Sequence, residues 1–164
     1  MKLPQPCAIG WKIWHECGDP FRAEICSMNL PETVPLGATH EASLVVTHAL
    51  TVQAEVPELP PVYSTPNMIL FMEVACTDLL KRFLPEGWVS VGALVNVRHL
   101  AATPVGCTVT VKATVAEVSA QLVTFEVEAH DGLDLIGKGV HARAPIELAR
   151  FLSGVARKQA RLQA

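Results

Sequence analysis

Ser64-Thr65-Pro66-Asn67-Met68-Ile69-Leu70-Phe71-Met72-Glu73-Val74-Ala75-Cys76-Thr77-Asp78-Leu79-Leu80-Lys81-Arg82-Phe83 carries a single charge before Asp78. Thr65 is a good N-cap and Pro66 suits the first helical position, while Pro85-Glu86-Gly87 is a stop signal. The stretch predicts a helix from Pro66 to about Leu84. At about 100° per residue, Ile69, Cys76, Leu80 and Leu84 fall within about 60° of Glu73. Asp78, Lys81 and Arg82 cluster on a different arc. Glu73 is therefore expected on a buried face. Burying an unpaired carboxylate is costly, so the fold must supply a partner, raise its pKa, or use it. No basic residue lies at helical pairing distance on its own face, which makes Glu73 the leading functional candidate.

The flanking sequence has a different period. Glu41 to His48 is rich in β-formers and predicts a first strand. Pro57, Pro60, Pro61 and Pro66 mark a loop or lid leading into the helix. After the helix, Trp88 to Leu100 alternates throughout: Val89, Val91, Ala93, Val95, Val97 and His99 share one face, and Ser90, Gly92, Leu94, Asn96 and Arg98 the other. Thr108–Val118, Gln121–His130 and Leu135–Ala144 predict three further strands. In the first, Val109, Val111, Ala113 and Val115 share a face. In the second, Val123, Phe125, Val127 and Ala129 do. Gly137 and Gly139 mark a close approach or a bulge. Ile146 to Leu162 predicts a helical, partly basic tail. A helix this apolar must be wrapped, and an antiparallel sheet with one apolar face can wrap it. The expected architecture is α+β, a hot-dog fold with an antiparallel sheet around a long central apolar helix.

The totals fit one domain. The chain has 164 residues, half of them hydrophobic and 18% charged, with a formal charge of −3. That much apolar surface suggests burial against a partner subunit. The acidic balance gives no reason to expect nucleic-acid binding, and no apolar run is long enough to cross a bilayer. No secretory leader is evident, and the five cysteines form no CxxC pair, which points to free thiols in a cytoplasmic protein. Residues 1–36 lack either period and are taken as an N-terminal extension, 37–152 as the domain, and 153–164 as a C-terminal helical tail. Cys7, Cys17, Cys26 and His15 are too widely spaced for a metal site, so no metal is expected.

Candidate chemistry rests on Thr65, Glu73 and His99, which this architecture brings toward one another. Thr65 has a bland reading as a cap, Glu73 as a paired structural acid, and His99 as a strand-end histidine. Arg98 faces the other way, toward solvent or a ligand phosphate. His40, His48, His130 and His141 show no ligand spacing. No serine lies in a nucleophile elbow, and Cys76 sits three residues from Glu73, where a carboxylate discourages the thiolate. Gly137-Lys138-Gly139 is not a phosphate loop.

The ordered set Leu59-Pro60-Pro61-Val62-Tyr63-Ser64-Thr65, Phe71 to Cys76, Ser90-Val91-Gly92, Val97 to Gly106, Ala129 to Gly132 and Ile136 to Arg143 resembles the fluoroacetyl-CoA thioesterase-like family of hot-dog proteins. The resemblance spans residues 37 to 152. It implies that the catalytic Thr, Glu and His fall on Thr65, Glu73 and His99. It also implies that the glycine letting the thioester approach falls on Gly92. Family members specialised for the fluorinated acyl group carry an aromatic gate ahead of the helix, and here that position is Leu59. The resemblance further implies a homodimer with sites at the subunit interface.

The expected activity is hydrolysis of a short-chain or small acyl-CoA to a free acid and CoA. Glu73 would be nucleophile or general base, with its pKa raised by burial and opposed by His99. His99 would move protons, and Thr65 would hydrogen-bond the carboxylate or the thioester. The N–H groups of Asn67 and Met68 would meet the developing oxyanion. Gly92 would leave room for the acyl chain or offer its own N–H. Arg98 and Arg143 are candidates for CoA phosphate contact. No cofactor is expected beyond the coenzyme A of the substrate. One alternative is a hot-dog hydratase or dehydratase, disfavoured because Asp78 is followed five residues later by Phe83 where that class has histidine. The other is a non-catalytic acyl-CoA-binding or sensing module.

Overall fold

The computed structural model describes residues 29–163. Five strands form one antiparallel sheet: β1 (Thr39–Val45), β2 (Trp88–His99), β3 (Thr108–Val118), β4 (Val123–His130) and β5 (Leu135–Glu147). Their spatial order is β1-β3-β4-β5-β2, so β1 and β2 are the two edges. A single turn of helix, α1 (Leu30–Thr33), precedes the sheet; α2 (Thr65–Lys81) crosses it; α3 (Leu148–Leu162) follows it.

The helix forms where the sequence predicts, but its cap differs. Ser64, not Thr65, is the N-cap: its Oγ accepts from the Asn67 backbone N–H. Pro66 therefore takes the second helical position, and Thr65 is left with a free side chain for other work. Met68, Met72, Ala75, Cys76, Leu79 and Leu80 are buried, an i, i+4, i+7, i+8 stripe facing the sheet. Each large side chain so buried contributes about 1.5–3 kcal/mol. Opposite it lie Val109, Val111, Ala113 and Val115 of β3 and Val123, Phe125, Val127 and Ala129 of β4, the two faces that alternation identifies. The loop before the helix is tied down by Tyr63, whose backbone N–H donates to the Thr103 carbonyl at 2.8 Å.

Three expectations change. Leu30 and Val34 are core residues, so the part of the N-terminal extension that is described belongs to the domain. The rest of that extension, with His15, Cys7, Cys17 and Cys26, lies outside the described residues. The boundary expected after residue 152 falls inside α3. Most consequential, β2 does not alternate along its whole length. Its register with β5 shifts between Gly92 and Leu94, making Ala93 an extra residue. A bulge reverses the facing of everything beyond it. Gly92 pairs with Arg143 and His99 with Gly137, positions of equal parity on β5. So Ser90 and Gly92 share the helix-facing side with Val97 and His99, whereas unbroken alternation separates them.

Candidate active site

Two clusters of polar side chains lie between α2 and the β5–β2 end of the sheet. At the start of α2, Thr65 Oγ1 and His99 Nδ1 are 2.8 Å apart. The helix comes close here because β5 has Gly137 opposite His99; a Cβ on it would sit 2.6 Å from Met68 Sδ. Thr65 is exposed and His99 half-buried. His99 Nε2 is nevertheless buried and has no hydrogen-bond partner among the described residues. A buried ring nitrogen left unsatisfied costs about 1–3 kcal/mol, so this atom needs a partner.

The second cluster surrounds Glu73. Its carboxylate Oε1 accepts from Arg143 Nη1 at 3.0 Å. Arg143 comes from β5, seventy residues away in sequence, so pairing arguments along the helix miss it. Its Nε donates to Ser90 Oγ at 2.9 Å and its Nη2 to the Ser90 carbonyl at 2.7 Å. Nη1 also lies 3.2 Å from Nε2 of the buried His141. Gly92 leaves space for the carboxylate: a Cβ there would be 2.6 Å from Glu73 Oε1. Among the described residues, no hydrogen bond engages Oε2. The Glu73 side chain is 35% exposed in the single chain, at the rim of the buried stripe rather than within it.

The electrostatics follow from burial. Desolvation pushes the Cys76 thiol up to about 12, with Arg143 opposing and Glu73 assisting, so it is no nucleophile. Desolvation holds His141 below the ordinary imidazole range; Arg143 adds to this, while Glu73 and a hydrogen bond that the ring donates to the Leu94 backbone oppose it.

Thr65 and His99 are brought together, and Glu73 is not brought to them within one chain. Thr65 and Glu73 stand eight positions apart on the helix, about 12 Å along the axis. Gly92, beside Glu73, is about 20 Å along β2 from His99. Several expected roles do not hold. The Asn67 N–H is occupied by Ser64 Oγ and the Met68 N–H by the Ser64 carbonyl, so neither is free for an oxyanion. Arg143 is 4% exposed and committed to Glu73 and Ser90, so it cannot reach a CoA phosphate. Arg98 is exposed and stays open to one. Gly92 makes room for the Glu73 carboxylate instead of for an acyl chain alone. Leu59 is 40% exposed on the loop before α2. Ser90 and His141 escape the sequence reading. The signal available was a run of polar or glycine residues at every second position of β5, from Gly137 to Arg143, where a core strand would carry valines.

Known proteins resemble this chain in sequence and fold. The family described as FlK, fluoroacetyl-CoA-specific thioesterase, matches residues 46–149. A fluoroacetyl-CoA thioesterase from Streptantibioticus cattleyicolor is 41% identical over 113 residues, 69% of this chain and 81% of that protein. A structure of the fluoroacetyl-CoA thioesterase FlK superposes with a TM-score of 0.71 at 38% identity, covering 76% of this chain and 96% of that one. A mutant of the same enzyme in complex with fluoroacetate and CoA gives 0.67 at 38% identity, covering 71% and 98%. A thioesterase superfamily member from Thermus thermophilus gives 0.75 at 32% identity, covering 79% and 96%.

Proposed function

The chain belongs to the family of fluoroacetyl-CoA-specific thioesterases, and from that membership we propose which of its residues do the chemistry. It hydrolyses acyl-CoA thioesters to a free acid and CoA. Glu73 supplies the anionic oxygen, attacking the thioester carbonyl or taking a proton from the attacking water. Arg143 holds Oε1 and leaves Oε2 for that step. His99, oriented through Nδ1 by Thr65, delivers a proton from Nε2 to the departing CoA thiolate. The single observation that carries this reading is the buried, unpartnered Nε2 of His99. The chemistry calls for no metal or redox cofactor, and CoA enters as part of the substrate.

The two clusters meet across a homodimer. Among the described residues β2 is an edge strand of twelve residues whose outer backbone has no paired strand, and it exposes Val89, Leu94 and Val95. Leu70 and Val74 of α2 are also exposed, beside Glu73. A long apolar edge calls for a partner, and a second copy paired antiparallel along β2 supplies one with two-fold symmetry. Such pairing runs the two β2 strands in opposite directions, carrying the partner's His99 toward Gly92 and Glu73. Leu59 in place of an aromatic gate favours a short acyl group without discrimination for fluorine. Arg98 is available for a CoA phosphate. Among the described residues, no helix is long and apolar enough to cross a membrane, and the free thiols Cys76 and Cys107 support a cytoplasmic location.

Thiol release from acetyl-CoA and longer acyl-CoAs, with Glu73→Gln and His99→Ala beside the parent, tests the assignment. Each substitution is expected to lower kcat by roughly 10²–10⁴-fold. Undiminished turnover in both removes the assignment. Tight CoA binding with no hydrolysis by the parent makes the protein a sensor.

A further inference from the structure

We propose that His141 is a positioning residue: a neutral imidazole, protonated on Nδ1 only, that fixes the orientation of the Arg143 guanidinium and so of the Glu73 carboxylate. This rests on the role given to Glu73 above. A guanidinium only donates. The 3.2 Å contact between Arg143 Nη1 and His141 Nε2 therefore requires Nε2 to be a bare acceptor. The ring proton then lies on Nδ1, which donates the ring's remaining hydrogen bond to the Leu94 backbone. Leu94 directly follows the extra residue of the β2 bulge. The result is a chain of contacts from the bulge through His141 and Arg143 to Glu73 Oε1.

His141 is 2% exposed, so its bonds are not shared with bulk water. Arg143 Nη1 has two hydrogens; its shorter contacts are the Glu73 carboxylate at 3.0 Å and His141 Nε2 at 3.2 Å, with the Glu73 backbone carbonyl further off at 3.5 Å. Ser90 anchors the other end of the guanidinium through Nε and Nη2. Removing the imidazole frees the group to roll about that anchor, and the carboxylate follows. Protonating the imidazole does the same more sharply, because Nε2–H would then point at an N–H of Arg143. The charged groups facing His141 are Arg143 on its own strand and Glu73 from α2; β4 puts Phe125 beside it and β2 puts Val95 there.

Nitrogen-detected NMR of the imidazole rings is expected to show His141 in the Nδ1–H form at neutral pH. It should stay uncharged at a pH where exposed histidines protonate. An Nε2–H form or a charged ring at neutral pH overturns the proposal. His141→Leu is expected to lower kcat roughly ten- to a hundredfold with KM for acetyl-CoA little changed. His141→Gln, whose amide oxygen accepts but does not titrate, should recover most of the rate. Should the leucine variant fail to fold, the glutamine variant decides: loss of kcat as complete as in Glu73→Gln overturns the proposal. Wild-type kcat in a folded leucine variant, with Glu73→Gln inactive, overturns the role of His141 alone. An active Glu73→Gln overturns the reading beneath it as well.

Discussion

Gly92→Ala separates the stability of the fold from the placement of the carboxylate. A Cβ at position 92 would meet Glu73 Oε1 at 2.6 Å, where ordinary contact begins at 3.4 Å, so the oxygen must retreat by about 0.8 Å. The oxygen now accepts from Arg143 Nη1 at 3.0 Å; a retreat of that size takes it from the position this bond fixes. The obstructed atom ends a flexible side chain, 35% exposed, so the fold yields at small cost. An off-rotamer side chain costs about 0.5–1.5 kcal/mol, a fall in Tm of a few degrees for a chain of this size. The reaction does not yield so easily, because misplacing a reacting group by about 1 Å can cost about 100-fold. We expect kcat for acetyl-CoA, followed by thiol release, to fall by roughly 10- to 100-fold while Tm drops by less than about 5 °C. In a Glu73→Gln background the same substitution should cost little more, since the two act on one group. A Gly92→Ala protein with the parental rate would refute the assigned position of the carboxylate. So would a rate that falls only as far as the folded fraction does.

Two further outcomes follow from neighbouring contacts. Ser64→Ala removes the cap of α2 and should cost about 0.5–2 kcal/mol by denaturant titration with a modest effect on kcat. Thr65→Ala should do the reverse, sparing stability and slowing turnover, because its hydroxyl serves His99 rather than the helix end. Stability should also depend on pH through His141. Its folded pKa is depressed, so below the unfolded value of about 6.5 the unfolded chain takes up a proton that the fold refuses. That contribution is complete above about pH 6.5 and is lost as the pH falls toward the folded pKa; urea midpoints from pH 7.5 to 5 should decline more steeply for the parent than for His141→Gln.

The elements were legible in the sequence because their periods are strong. Seven consecutive alternating positions from Val109 through Ala113 to Val115 can only be a half-buried strand, and the stripe from Met68 to Leu80 can only be a helix against it. The cap was misplaced by one residue because Ser64 and Thr65 are both competent and Pro66 fits either of the first two helical positions. The bulge was invisible because the apolar odd-numbered positions run from Val89 through Ala93 to Val97, so the alternation carries on across it. Its consequence is large, since it alone puts Gly92 and His99 on one face. Glu73 drew notice through its apolar helix, yet its true partner came from a strand seventy residues on. Pairings of that kind depend on register and helix placement, which no local pattern specifies. His141 has no metal-ligand spacing, and spacing says nothing of a hydrogen-bonding role; its alternation with Arg143 among glycines is what marks an inward-facing polar row.

Mixing inactive subunits tests most directly whether the working carboxylate and imidazole belong to opposite copies. Glu73→Gln and His99→Ala homodimers are unfolded together, refolded, and assayed for thiol release from acetyl-CoA. Random reassociation makes about half the dimers mixed, each with one doubly altered and one intact site, so about a quarter of the parental activity should return. Activity that stays at the level of the separate variants, in a sample shown to contain mixed dimers, would contradict the account.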